Sequence, residues 1–206
     1  MFITFEGSEG SGKTSQVACL VNFLRESGYP VLTTREPGGT LIGDQIRDIL
    51  NNLKNTAMQP RTEVLLFQAS RAQLVDQVIR PALMRDEIVL SDRYADSTMA
   101  YQGYGHQLDL NMVRSIVEFA TGGLKPDLTL FLDVDVEEGL RRRAAGGEWN
   151  RLDDYELAFY KRVRKGYLEM VHAEPERWVV IDASGTFDDV QESIRKVLLG
   201  RLKHKT

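Results

Sequence analysis

The chain has 206 residues and a formal net charge of −4, with 42% hydrophobic and 27% charged residues. These values are typical of one soluble globular domain. The acidic balance and the lack of a long basic stretch argue against non-specific nucleic-acid binding, which needs clustered Lys and Arg. No apolar run has the length of a membrane span, and Met1 leads directly into a predicted strand. We therefore expect a cytoplasmic protein with neither a nucleic acid nor a membrane as partner.

Short apolar runs alternate along the chain with longer segments of helical period. The predicted strands are Phe2–Phe5, Val31–Thr34, Ile88–Ser91, Leu128–Asp133 and Trp178–Ile181. The predicted helices are Lys13–Ser27, Leu41–Asn52, Thr62–Met84, Asp109–Ala120, Val136–Ala145, Tyr155–Val171 and one that begins near Phe187. Strands without period-2 patterning that alternate with helices predict an α/β fold, a five-stranded parallel sheet with helices on both faces.

A glycine-rich segment follows the first predicted strand. It reads GSEGSGKT and matches the G-x-x-x-x-G-K-[ST] pattern of a phosphate-binding loop (P-loop) between a strand and a helix. The expected nucleotide-binding residues are Gly7, Ser8, Glu9, Gly10, Ser11, Gly12, Lys13 and Thr14. Backbone N–H groups and the start of the next helix would hold a polyphosphate, with Lys13 near its terminal phosphates and the Thr14 hydroxyl on a magnesium ion.

Polar residues follow all five predicted strands. Because ligands bind beyond the carboxyl ends of the strands in such sheets, these residues are the first candidates for function. They are Glu6, the segment Arg35 to Gly39, Asp92-Arg93-Tyr94, Asp133 and Asp182. Three histidines, His106, His172 and His204, do not follow strands, and we interpret them as surface or loop residues.

Together, four segments and the P-loop resemble the thymidylate kinase family. The segments are TREPGG (Thr34–Gly39), LLFQASRAQ (Leu65–Gln73), DRY (Asp92–Tyr94) and STMAYQG (Ser97–Gly103). The resemblance runs from Met1 to about Ile181. It implies a single P-loop kinase domain over residues 1–206, similar to nucleoside monophosphate kinases, with a small lid. It also implies transfer of the γ-phosphoryl group of ATP to dTMP with Mg²⁺, in dTTP synthesis, by a homodimer.

The resemblance assigns roles to Asp92 and Arg93. Asp92, Asp133 and Asp182 all end apolar runs, so position alone does not choose among them. The family pattern points to Asp92 as the residue that orients magnesium and to Arg93 as a contact of the acceptor phosphate. The alternative for this pair is a salt bridge at the strand end.

Other residues are assigned to the acceptor by the same resemblance. Phe67 and Arg71 share a helix face, so the ring could stack on thymine while the guanidinium binds its carbonyl edge; alternatively Phe67 is core and Arg71 reaches water. Arg47 would hold the acceptor phosphate, or is a solvated helix charge. The remaining substrate candidates are Pro37 beside the base, Ser97 and Thr98 as hydroxyl donors, Tyr101 and Gln102 near base and sugar, and Glu9 near the sugar 3′-hydroxyl.

The P-loop contains no arginine, and one branch of the family carries catalytic arginines in a lid instead. The lid candidate here is about residues 141–153, with Arg141-Arg142-Arg143 and a Gly146-Gly147 hinge before Glu148 to Arg151. Three consecutive arginines on a helix point in different directions, so only one or two can reach the phosphates. We expect catalysis by Lys13, Glu9, Arg93, Arg142 and Arg151.

Two other functions remain open. The first is a nucleotide kinase with a different acceptor, since such an enzyme shares the loop, the magnesium and the lid. The second is a GTPase-like switch, because Asp182-Ala183-Ser184-Gly185 spells its D-x-x-G motif. That motif lies on the last strand and no N-K-x-D guanine motif occurs, which argues against the switch.

Overall fold

The computed structural model describes residues 1–146 and 150–203. The described residues contain a parallel sheet whose order is β2-β3-β1-β4-β5. Its strands are β1 (Phe2–Glu6), β2 (Val31–Arg35), β3 (Ile88–Asp92), β4 (Leu128–Asp133) and β5 (Trp178–Asp182). The predicted five-stranded parallel α/β fold is therefore confirmed.

Helices connect consecutive strands, as parallel pairing requires. They are α1 (Lys13–Glu26), α2 (Leu41–Asn51), α3 (Pro60–Leu74), α4 (Arg80–Met84), α5 (Ala95–Thr98), α6 (Leu110–Thr121), α7 (Val136–Gly146), α8 (Leu157–Ala173) and α9 (Phe187–Lys203). A π-helical turn, Val75–Ile79, joins α3 to α4 where the sequence predicts one helix. No helix within residues 1–146 and 150–203 is both long and apolar enough to span a membrane.

The two faces of the sheet carry separate hydrophobic clusters. Side chains alternate along a strand, so Ile3 and Phe5 of β1 pack with α1 and α9, while Phe2 faces the opposite side with α3 and α4. On β4, Phe131 faces a third cluster with α8. Burial on both faces explains why the strands read as continuous apolar runs.

The sequence does not predict the helical segment between β3 and α6. Here α5 continues into a π-helical stretch, Met99–Gly105, although its glycines suggest a turn. A Cβ on Gly105 would lie 2.6 Å from the ring of Phe159 on α8. This glycine permits close packing of two helices, and the packing overrides its low helix propensity.

Candidate active site

A cleft of about 490 Å³ lies at the carboxyl edge of the sheet. The P-loop, the segments after β2 and β3, α3 and the C-terminal half of α7 form its walls. Most of the predicted site residues line it, namely Glu9, Gly10, Gly12, Lys13, Thr14, Pro37, Arg47, Phe67, Arg71, Asp92, Arg93, Ser97, Thr98, Tyr101, Gln102 and Arg142. Gly7, Ser8, Ser11 and Arg151 are predicted site residues that do not line it.

The Lys13 side chain lies inside the P-loop. Its ammonium donates to the carbonyl oxygens of Gly7 (3.0 Å) and Ser8 (2.8 Å) and to Ser11 Oγ (3.2 Å). Burial and the nearby Arg93 charge lower the pKa of Lys13 to about 8, although Glu9 and Asp92 oppose that shift. The lysine is therefore held at the start of α1, where backbone N–H groups favour an anion.

The P-loop touches the start of α7 at a pair of glycines. Gly10 has φ of 69°, and a Cβ there would lie 1.8 Å from the carbonyl oxygen of Gly139. A Cβ on Gly139 would in turn lie 2.4 Å from the carbonyl oxygen of Glu9. Gly10 therefore meets both a conformational and a packing requirement, and the motif signals neither, because Gly10 occupies one of its four variable positions.

Thr14 and Asp92 meet beside the P-loop. The Thr14 hydroxyl donates to Asp92 Oδ2 at 2.5 Å. The other two strand-end acids are engaged elsewhere, Asp133 in a salt bridge with Arg164 and Asp182 as an acceptor for Ser184. A hydroxyl and a carboxylate are hard oxygen donors, so the pair fits a magnesium ion that keeps other ligands from water and phosphate.

Arg93 occupies the centre of the cleft in a left-handed backbone conformation, with φ of 70°. Its guanidinium donates to Glu9 Oε1 (2.6 Å), to the Gly7 carbonyl (3.1 Å) and to the Tyr101 hydroxyl (3.0 Å). Tyr101 also donates to Glu9. Burial raises the pKa of Glu9, but Arg93, Lys13 and Tyr101 outweigh it and leave that pKa lowered. Glu9 is thus an ionised partner for Arg93.

Glu6 is a fully buried carboxylate at the end of β1, directly before the P-loop, and its partners are remote in sequence. Its carboxylate accepts from the Tyr94 backbone N–H (2.8 Å), Ser97 Oγ (2.5 Å) and the Tyr167 hydroxyl (2.9 Å). Burial, together with the Asp96 charge, raises the pKa of Glu6 to about 7 despite these bonds and Arg93. Glu6 supports the backbone immediately after Arg93, which explains how an arginine keeps a positive φ.

Arg71 is 1% exposed and its guanidinium is saturated by the protein. It forms a salt bridge with Glu36 and donates to the Tyr94 carbonyl oxygen, Gln68 Oε1 and Thr98 Oγ1. An arginine has five N–H donors, and these contacts use them all. Arg71 lines the cleft, but a bond to thymine requires it to share or exchange one of these partners.

The remaining acceptor candidates lie around the same wall. Phe67 is half-buried and lines the cleft, so it is not a core residue. Arg47 also lines the cleft and donates to the Pro37 carbonyl oxygen at 2.9 Å. Burial and the repulsion of Arg35 lower its pKa. Arg47 is therefore a partly desolvated cation that faces the cleft rather than a solvated helix charge.

The three consecutive arginines of α7 bond to different groups. Arg141 pairs with Glu138, and Arg142 bonds Glu138 and also the carbonyl oxygens of Ala183 and Ser184 after β5. Arg142 and Arg143 line the cleft. The hinge residue Gly147 and Glu148 lie outside the described residues, as does His204.

Arg151 does not line the cleft, although Asn150 and Leu152 on either side of it do. It begins a short 3-10 helix, Arg151–Asp154, and donates to the Leu50 carbonyl oxygen (2.8 Å) and to Glu63 Oε2 (2.5 Å). Glu63 also binds His106, which lies in a turn as expected but has a side chain that is only 14% exposed. The sequence around Glu63 does not indicate that its partner is Arg151, because the two residues are 88 positions apart.

Comparisons with known proteins agree with this geometry. The family model described as thymidylate kinase matches residues 5–194. A thymidylate kinase of Thermomicrobium roseum is 56% identical over 89% of this chain and 87% of its own. One of Roseiflexus sp. (strain RS-1) is 50% identical over 96% and 93%. The crystal structure of thymidylate kinase from Ehrlichia chaffeensis superposes with a TM-score of 0.79 at 36% identity, covering 97% of this chain and 98% of that one. The chain therefore belongs to the thymidylate kinase family.

Proposed function

We propose that the cleft transfers the γ-phosphoryl group of ATP to dTMP and releases dTDP and ADP. As a member of its family the chain is a kinase that phosphorylates dTMP. The observation that carries the proposal is one continuous cleft lined by both the P-loop and the acceptor residues. Its volume suits a pair of nucleotides whose phosphates meet at the centre.

The donor would be held by the P-loop. Backbone N–H groups from Gly7 to Thr14 and the start of α1 favour a polyphosphate, and Lys13 supplies a charge at its terminal end. Thr14 and Asp92 would hold Mg²⁺, which neutralises charge on the phosphates when bound. Gly7, Ser8 and Ser11 also position Lys13, since the carbonyl oxygens of the first two and the Ser11 hydroxyl accept hydrogen bonds from its ammonium.

The acceptor would lie on the opposite wall. Arg47 and Arg93, which both line the cleft, would hold its phosphate, and the Phe67 ring would stack on thymine. Arg71 and Gln102 would meet the edge of the base, with Pro37, Ser97 and Thr98 around it. Glu9 and Tyr101 would contact the sugar, and Glu9 must then share its bond to Arg93.

The reaction needs no dedicated general base. An oxygen of the acceptor phosphate is already ionised near neutral pH; it bonds to the γ-phosphorus as the bond to the β–γ bridging oxygen breaks. The protein contributes position and positive charge, from Lys13, Arg93 and α7. Arg142 and Arg143 line the cleft and are the arginines we assign to that task from the proposed lid, residues 141–153.

A phosphoryl-transfer assay over nucleoside monophosphates tests this proposal. We expect dTMP to give the highest kcat/KM with ATP and Mg²⁺. Higher activity with AMP or GMP would support a kinase with a different acceptor. Guanine nucleotides binding more tightly than adenine nucleotides would instead support the GTPase-like switch.

We also propose that the enzyme is a homodimer. The packed helices α3 and α6 expose three large apolar side chains, Leu65, Met112 and Phe119, and Phe119 is 87% exposed. Exposed apolar surface of this kind is typical of a subunit interface. Sedimentation equilibrium should give twice the mass of one chain, and the mass of a single chain would contradict the proposal.

A further inference from the structure

The 3-10 helix Arg151–Asp154 lies between the two walls of the cleft and is bonded to both. At one end the Asp153 carboxylate binds Arg143 of α7 through two bonds, Nε to Oδ1 at 2.9 Å and Nη2 to Oδ2 at 2.8 Å. At the other end Arg151 binds Glu63 of α3. Arg143 lines the cleft from α7, the helix whose first turn touches the P-loop, and α3 carries acceptor residues.

Glu63 is the buried centre of the acceptor end. It is 1% exposed, and its two oxygens accept from four side chains. Oε1 accepts from Gln102 (2.9 Å) and His106 (3.1 Å), and Oε2 accepts from Arg151 (2.5 Å) and Tyr155 (3.0 Å). Burial raises the pKa of Glu63, but the bonds from His106, Arg151 and Gln102 lower it to about 2. Because Gln102 lines the cleft, Glu63 fixes the orientation of an amide proposed to meet the base.

The 3-10 helix is held in place by hydrogen bonds within itself and to α8. Asn150 caps it by accepting from the Leu152 N–H at 2.9 Å, and Asp153 accepts from the Asn150 N–H at 2.9 Å. The Tyr160 hydroxyl of α8 donates to the Leu152 carbonyl oxygen at 2.6 Å. Asp153 is 4% exposed. Arg151 and Asp153 are buried, and each forms an ion pair with a residue outside the turn, so we expect the capped turn to move as one unit.

We propose that this helix is a bridge that couples acceptor binding to donor binding, with Glu63 and Asp153 as positioning residues. The inference rests on the proposed function, because it takes dTMP and ATP as the two ligands. dTMP that orders Gln102 and α3 would set Arg151 through Glu63, and the bridge would set Arg143 through Asp153. Coupling of this kind is reciprocal, so the ATP site changes dTMP affinity by the same factor.

The test measures the dissociation constant of dTMP with and without a non-hydrolysable ATP analogue and Mg²⁺. The ratio of the two constants is the coupling factor, and we expect at least about fivefold for the unmodified protein. Glu63→Gln and Asp153→Asn should each bring the factor close to one. Arg151→Gln should do the same, and Glu63→Gln/Arg151→Gln should be no worse than either single change, because both act through one pair.

Two further variants keep the test decisive. Tyr155→Phe removes one bond to Glu63 but leaves the ion pair, so it should fold and reduce the factor partly. Arg177→Gln is the matched control, since it breaks the buried Arg177–Asp96 pair (2.6 Å) away from the cleft and should leave the factor unchanged. Thermal unfolding identifies any variant that fails to fold.

The outcomes separate the bridge from other roles. If Arg151→Gln abolishes turnover while Glu63→Gln does not and the factor is intact, Arg151 acts directly on the phosphates and the bridge is wrong. A factor near one in the unmodified protein, or unchanged in Tyr155→Phe and Glu63→Gln, also overturns it. Absence of dTMP phosphorylation by the unmodified protein would instead refute the proposed function.

Discussion

The donor wall and the acceptor wall of the cleft are built from different kinds of contact. On the donor wall Lys13 is fixed by oxygens of its own loop, at most six residues away. On the acceptor wall Arg71 is fixed by Glu36, 35 residues away, and Arg93 by Glu9, 84 residues away. A local motif therefore carries the donor site, while the acceptor site depends on charge pairs that only the folded chain assembles. Loss of a donor residue should impair chemistry, and loss of an acceptor pair should impair folding as well.

The largest effect should come from breaking the Arg71–Glu36 pair. Glu36→Gln leaves a guanidinium that is 1% exposed without its counterion, so the free energy of unfolding should fall by about 3–5 kcal/mol. Urea unfolding measures this. Glu137→Gln is the matched control, because it removes the same charge from the exposed pair with Lys161 and should cost less than about 1 kcal/mol. Equal losses in the two variants would contradict the distinction between the walls.

On the donor wall, Lys13→Ala should reduce kcat by roughly a hundredfold to a thousandfold, as loss of one preorganised charge at a reacting group does. Steady-state kinetics with ATP and dTMP measure the effect. Lys165→Ala, an exposed lysine of α8, is the control and should be neutral. A change of less than about tenfold in kcat would remove Lys13 from the proposed charge neutralisation.

Stability should also depend on pH through Glu6, the buried carboxylate that supports the backbone after Arg93. The pKa of Glu6 is raised from 4.5 to about 7, so the folded protein binds more protons than the unfolded chain between these values. Stability from this group is therefore complete below pH 4.5 and is lost as pH rises toward 7, by up to about 3 kcal/mol. Glu6→Gln should flatten this decline in unfolding experiments between about pH 5 and about pH 8. A profile with the same slope in both proteins would show that Glu6 does not titrate there.

The smallest effect concerns Phe67, the side chain proposed to stack on the base. Phe67→Ala should raise the KM for dTMP by about tenfold or more, since stacking on a base contributes about 1–3 kcal/mol, and should leave the KM for ATP unchanged. Tyr29→Ala removes an exposed ring elsewhere and is the control. If both KM values rise together in Phe67→Ala, the residue supports the cleft rather than the base.

The sequence predicts the parallel sheet, because buried strands and amphipathic helices alternate with clear periods. The sequence also predicts the P-loop, since all its parts lie within eight consecutive residues. Glu63, Glu6 and Glu36 are different. Each is a single carboxylate whose partners are remote in sequence, and periodicity says nothing about such partners. Arg151 illustrates the consequence, because its type and position suggested a cation for phosphates while its carboxylate partner on α3 was invisible. The glycines at 103 and 105 suggested a turn for a related reason, because their packing partners, Leu110 and Phe159, lie on two other helices.

The contact between Gly10 and Gly139 has a mechanical consequence. Because there is no room for even a methyl group between them, the P-loop and the first turn of α7 are in direct backbone contact, and we expect them to move together. Any rotation of α7 would then bend the helix beyond Gly139. Arg142 and Arg143 could move in this way while the P-loop backbone stays in place. A side chain at either glycine would push the P-loop and the start of α7 apart, and the position of α7 would no longer be tied to the nucleotide-binding backbone.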